Sequence, residues 1–199
     1  MSIADRVKGI LLTPKTEWPI IAAEPATLGS VISYAAILAL IPLVASVLVS
    51  FLIMGDSGFG RNLMQMSAVL NYLITLGVLF VMGIIAAALA PSFDGQNRRE
   101  AGLKLIVYAS TPVFVAGILN LIPGLNIIAT LAGLAYGVYL IYLGATPVMA
   151  VPPVKAGGYT AVVAIAWLLL QLVISTLIVG SIVAVFIKGV MVAGGAPAV

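Results

Sequence analysis

Two side chains that carry much of protein chemistry are missing: the 199 residues contain no cysteine and no histidine. Disulfides, thiolate nucleophiles, imidazole bases and the usual zinc sites are thereby excluded. Charge is scarce as well, at 8% of residues with 9 basic and 6 acidic, against about a quarter in an ordinary soluble domain. The net charge of +3 is small and scattered, so no nucleic-acid partner is expected. No nucleophile–base pair, phosphate-binding loop or metal-ligand cluster occurs in the sequence. It is therefore read as a chain without catalytic residues, metal or cofactor.

What the chain has instead is apolar surface. Hydrophobic residues make up 63% and the mean hydropathy is +1.26, so the solvent for most of it must be the lipid bilayer. A helix needs about 20 apolar residues to cross the hydrocarbon core. Five segments meet that length, at about 30–54, 63–90, 103–122, 125–144 and 160–187. Helix breakers part them: Gly55-Asp56-Ser57-Gly58, Pro91 to Gly95, Pro123-Gly124, and Pro147 with Pro152-Pro153. The expected fold is an all-α, polytopic bundle over 30–190, preceded by an N-terminal segment, 1–29, and followed by a short tail, 191–199.

The basic residues give a direction. Arg6, Lys8, Lys15, Arg98, Arg99, Lys104 and Lys155 fall on one side of a five-span topology, and Arg61 and Lys188 on the other. The richer side stays cytoplasmic, which puts the N-terminus inside and the C-terminus outside. No charged residue is placed near a bilayer midplane, which counts against proton relays, voltage sensing and transport of charged substrates.

The segment before the first span collects Ile3, Val7, Ile10 and Leu11 on one helical face, with Pro14 and Trp18 beyond. Such an amphipathic element is suited to the headgroup layer. It is either an anchor for the first span or a cytoplasmic docking surface.

Within the spans only uncharged polarity remains. Asn71 and Thr75 lie one turn apart, as do Gln171 and Ser175; Asn120 ends the third span and Asn126 follows the turn. These groups either bond across helices or line a small polar cavity. Ala129, Gly133 and Gly137 recur every fourth residue and form a small-residue stripe. That stripe serves close packing within the chain or a homo-oligomer seam through the fourth span. Pro42 and Pro112 each remove a backbone donor and are expected to kink their helices, with Ser110 and Thr111 at hand to meet the freed carbonyls.

Several ordered stretches together resemble a known family. They are Pro14-Lys15-Thr16-Glu17-Trp18-Pro19-Ile20-Ile21 closing on Glu24-Pro25, Tyr108-Ala109-Ser110-Thr111-Pro112, Ile122-Pro123-Gly124, and Tyr136 to Gly144. In this combination the chain resembles the bacterial branch of the Yip (Ypt-interacting protein) family of five-span membrane proteins. Eukaryotic relatives engage Rab-type GTPases through cytoplasmic N-terminal regions; their Asp-Leu-Tyr-Gly-Pro motif is absent here.

For this chain the resemblance implies a multi-pass protein of the bacterial inner membrane. Two functional expectations follow. One is a membrane adaptor, with Pro14, Trp18 and Glu24 at the surface, and Arg98 and Arg99 facing anionic headgroups or a protein partner on the cytoplasmic face. Tyr108, Pro112, Pro123, Gly124, Ala129, Gly133 and Gly137 then set the helix packing. The alternative is a channel, carrier or lipid-handling protein for a neutral or apolar ligand, built on Asn71, Thr75, Asn120, Gln171 and Ser175.

Overall fold

Residues 2–25, 27–54, 58–122 and 124–194 are described by a computed structural model, with the side chains of 54, 59 and 177–194 left aside. Among them there are helices and turns and no strand. In chain order the helices are α1 Ile3–Leu12, α2 Pro14–Ala23, α3 Leu28–Met54, α4 Gly58–Leu89, α5 Arg99–Ala109, α6 Thr111–Ala116, α7 Leu125–Met149 and α8 Pro153–Gly194. Short 3-10 turns at Ala90–Phe93 and Gly117–Leu121 complete the set.

Five stretches are long and apolar enough to cross a membrane: Leu28–Ile53, Gly60–Phe93, Arg99–Leu121, Leu125–Met149 and Pro153–Thr176. The fourth runs past its expected end at 144, through Pro147 to Met149. It stops where Ala150 turns left-handed (φ 55°) and returns its N–H to the carbonyls of Ala145 and Thr146. Pro123 lies outside the described residues. The adjoining Gly124 adopts φ 89°, a conformation open to glycine at little cost, and the third and fourth spans reverse there.

Contacts divide the chain into two units, 1–163 and 164–199. The described part of the second is the remainder of α8. Gln171 and Ser175 belong to it, and the Ser175 and Thr176 hydroxyls both donate to the Leu172 carbonyl one turn back.

In the first unit the third crossing is the centre. Of its apolar window 72% is buried, against 22%, 39% and 28% for the first, second and fourth. Small residues let it sit there. A Cβ on Gly102 would run into the Gly83 carbonyl and Ala87, and one on Gly83 into the Leu103 backbone. On the other side Gly133 faces the backbone of Pro112 and Val113, and Gly137 faces the Ala109 carbonyl. The stripe on α7 is thus filled at Gly133 and Gly137 by α5 and α6 of the same chain, while Ala129, nearer the start of α7, is only half-buried.

Pro112 does more than kink this crossing. α5 ends at Ala109, and α6 restarts with Pro112 in its first turn, where a missing N–H costs nothing. Nor do its neighbours meet freed carbonyls as a pair. The Ser110 hydroxyl donates to Ile106 O, and the Thr111 hydroxyl bonds Tyr34 Oη at 2.9 Å. Pro42, by contrast, sits inside the continuous helix α3, with Gly117 against it.

The two ends of this unit differ in content. One end, the collar, gathers α1, α2, the turn after α4 and the starts of α5 and α8. The opposite end holds the α3–α4 connection and the turn at Gly124. Among the described residues of the first unit every charged side chain except Arg61 is at the collar. α4 has 32 residues, about 48 Å at 1.5 Å per residue. That exceeds the ~30 Å hydrocarbon layer, so the helix must tilt or project beyond it.

Candidate functional site

The N-terminal segment is not one element lying flat but two helices folded back on each other. Ser2 caps α1, its Oγ accepting from Asp5 N–H at 3.1 Å and donating to Asp5 Oδ2 at 2.6 Å. That bond holds the Asp5 carboxyl below its ordinary value. Pro14 opens α2 at a position suited to proline. Gly9 lets the pair close, since a Cβ there would strike the Glu17 side chain.

Between the two helices Arg6 and Glu17 form an ion pair with both side chains about 95% shielded (6% and 5% exposed), and Arg6 bonds Glu24 as well. Burial by itself would weaken the guanidinium's hold on its proton. The Glu24 hydrogen bond and the charges of Glu24 and Glu17 outweigh it and raise the pKa. The guanidinium also lies 5.7 Å from the Tyr108 ring centre, and that ring meets Tyr34 at 4.7 Å.

Three further contacts fix the hairpin to the bundle. Tyr136 Oη donates to Leu11 O at 2.8 Å, closing the C-terminus of α1. Lys104 Nζ donates to Ile21 O at 3.0 Å and Glu24 O at 2.6 Å, a cation on the negative end of α2. Trp18 fills a notch floored by Gly144 and walled by Leu105, where a Cβ on Gly144 would meet its ring.

Several expectations need correcting here. Trp18 is 1% exposed and Pro14 is buried, so neither offers a surface contact; the notch at Gly144, 126 positions later in the chain, draws the indole inward. Lys104, counted among the basic residues of the cytoplasmic side, lies buried within α5. Glu24 keeps a partly exposed side chain at 43%, and Arg98 and Arg99 are exposed. Tyr108 and Pro112 are buried in the packing. Arg6, Glu17, Tyr34 and Gly144 belong to the site without any motif that marks them in the sequence. The only sequence signal for the ion pair was two opposite charges flanking the Thr13-Pro14 break.

A second site lies in the opposite half. Of the five polar residues grouped in the sequence, Asn71, Thr75 and Asn120 line a half-open crevice of about 400 Å³ together with Asn126, Ser46 and Pro42. Gln171 and Ser175 lie on the second unit. Thr75 Oγ1 donates to Asn71 Oδ1 at 3.2 Å. Among the described residues the carboxamides of Asn120 and Asn126 have no hydrogen-bond partner. Among the described residues no acidic or basic side chain lines the crevice.

With both sites in place, comparison with protein families matches the chain to the Yip1 domain over residues 8–175. The chain belongs to the Yip1 family. It is a multi-pass membrane protein of that family, and the matched stretch takes in α1 from Lys8 onward and every crossing of the first unit. Arg6 falls just ahead of the Yip1 match, whereas its partners Glu17 and Glu24, and Lys104 beside them, lie within it. No curated protein and no solved structure matches the chain.

Proposed function

We propose that this Yip1-family protein is a non-enzymatic membrane adaptor of the bacterial inner membrane. Its docking face is the outer surface of α1 and α2 with the exposed Arg98 and Arg99 beside them. The observation that carries this reading is the division of the hairpin into two faces. Its inner face is fixed through Arg6, Ile10, Glu17, Trp18 and Ile21, all buried. The outer face leaves Lys8, Leu12, Lys15 and Ile20 in the open. A helix pair fastened so firmly by one side presents the other in a set geometry, and little ordering entropy is then lost when a partner binds.

The concentration of basic residues at the collar favours the cytoplasmic side for this face. A photo-crosslinking amino acid at Ile20 or Arg98, in native membranes, should capture a discrete protein, and Lys15→Glu should abolish capture at Ile20. The same crosslinker at Trp18 should capture none. Capture of bulk lipid alone at Ile20 and Arg98 would sink the adaptor.

A further inference from the structure

We infer that the crevice between α3, α4 and the turn before α7 binds a neutral glycerolipid of the diacylglycerol class. This does not rest on the adaptor reading, since the crevice lies in the half away from the collar.

Three observations select the ligand. First, the carboxamides of Asn120 and Asn126 bring N–H donors and carbonyl acceptors to one crevice, and none of them is used among the described residues. Asn71 spends only its acceptor, on Thr75. Asn120 and Asn126 flank the reversal at Gly124, at the edge of the spans, where a polar group turned into a crevice gains by meeting a partner there. Second, among the described residues the lining has no acidic or basic side chain, so nothing described in it calls for a phosphate or an ammonium. Third, the same helices are apolar where they flank the crevice, with Val44, Leu48, Leu70, Leu73, Ile127 and Ile128 exposed. A ligand entering there arrives through the acyl chains and keeps its own chains against those faces.

A diacylglycerol meets all three conditions. Its two ester carbonyls accept from carboxamide N–H groups, and its free hydroxyl donates to a carboxamide oxygen. The acyl chains lie along α4 and α7. A phospholipid has the esters but has replaced that hydroxyl donor by a phosphate. The 400 Å³ volume is at the small end of ligand sites, enough for the glycerol core and the first methylenes.

The test uses the full chain in phosphatidylcholine vesicles with a diacylglycerol carrying a diazirine on one acyl chain, and the matching phosphatidylcholine as a parallel probe. After illumination the diacylglycerol should label peptides from 60–80 and 117–135 about ten-fold more than the phosphatidylcholine at equal mole fraction. Unlabelled diacylglycerol should compete this away. The double variant Asn120→Leu, Asn126→Leu should fall to the phosphatidylcholine level while keeping the wild-type unfolding temperature. Equal labelling by the two probes in the wild-type protein, or labelling that excess diacylglycerol does not reduce, overturns the proposal without recourse to any variant. Undiminished labelling of the double variant overturns it as well.

Discussion

At the collar, Trp18, Met82, Ile106, Met149 and Tyr159 are closed off completely or nearly so, while in the opposite half Leu52, Met66, Ile127 and Ile128 stand more than half exposed. The helices of the open half, α3 and α4, are the more apolar, with mean hydropathy 2.8 and 2.6 against 1.7 to 1.9 for the other crossings, so apolar content does not make the difference. Connectivity does. The collar gathers α1, α2, the turn after α4 and the starts of α5 and α8 from widely separated parts of the chain, and its fastenings include a buried ion pair, whereas α3 and α4 are joined by neutral bonds, Gln65 to Ser50 and Tyr72 to Ala36 O, each at 3.3 Å. Hydroxyl–carbonyl bonds such as Tyr159 to Ala86 at 2.9 Å join α8 to α4, and Gln96 N–H reaches Met149 O. In the other half α3 and α4 run beside each other with a polar crevice between them. One end is made to hold its shape; the other has room for something else.

The largest break in that contrast should come from Arg6. Arg6→Met leaves Glu17 buried without a partner, which costs about 3–5 kcal/mol. Tryptic cleavage at Lys8 and Lys15 should then become rapid while the spans remain protected. Arg6→Met with Glu17→Leu removes both charges and should recover most of the loss, since Glu24 is open enough to stay hydrated. A double variant as fragile as the single one would show that the pair is not the clasp.

A pair of glycines on α4 gives a sharper, smaller test. Gly77 has nothing near its missing Cβ, whereas Gly83 is pressed against the Leu103 backbone. Gly77→Ala should stabilise by up to about 1 kcal/mol through helix propensity. Gly83→Ala should destabilise by about 1–3 kcal/mol through overpacking, both read as shifts in unfolding temperature in one detergent. Equal shifts for the two would erase the distinction between the ends.

The smallest effect is expected from pH. The Ser2 bond keeps Asp5 ionised to lower pH than its ordinary 3.8. Its contribution is therefore complete above about 3.8 and is lost as pH falls through the lower folded value. The first turn of α1 should fray only in that acid range, seen as faster amide exchange at Asp5 and Arg6, and Ser2→Ala should move the onset upward.

Much of this was legible in the sequence, for identifiable reasons. The five crossings declared themselves because each is an apolar run of sufficient length bounded by Gly or Pro. Asn71, Thr75 and Asn120 stood out as polar groups in those runs, but nothing local told which of them would share a crevice and that Gln171 and Ser175 would lie on the second unit. What stayed hidden depends on distant partners. Lys104 reads as one more basic residue of the cytoplasmic side until Ile21 O, 83 positions earlier, gives it a reason to be buried. Trp18 reads as an interfacial aromatic until Gly144 opens a notch for it. Neither relation leaves a local period or motif. The break at Pro112 was half visible: proline announced a disruption, but only the packing of α7 against both pieces lets the crossing continue as a restarted helix.

The clasp on the α1–α2 hairpin has a consequence for how the protein is made. A chain synthesised from its N-terminus produces these two helices first, yet the side chains that fix them, Lys104, Tyr136 and Trp18's notch at Gly144, appear only when α5 and α7 have been added. Arg6 and Glu17 are both present from the outset and can pair in the interval, while Trp18 waits for its notch. The first part of the molecule to be translated is then among the last to be seated, and completion of the fourth crossing is the event that seats it.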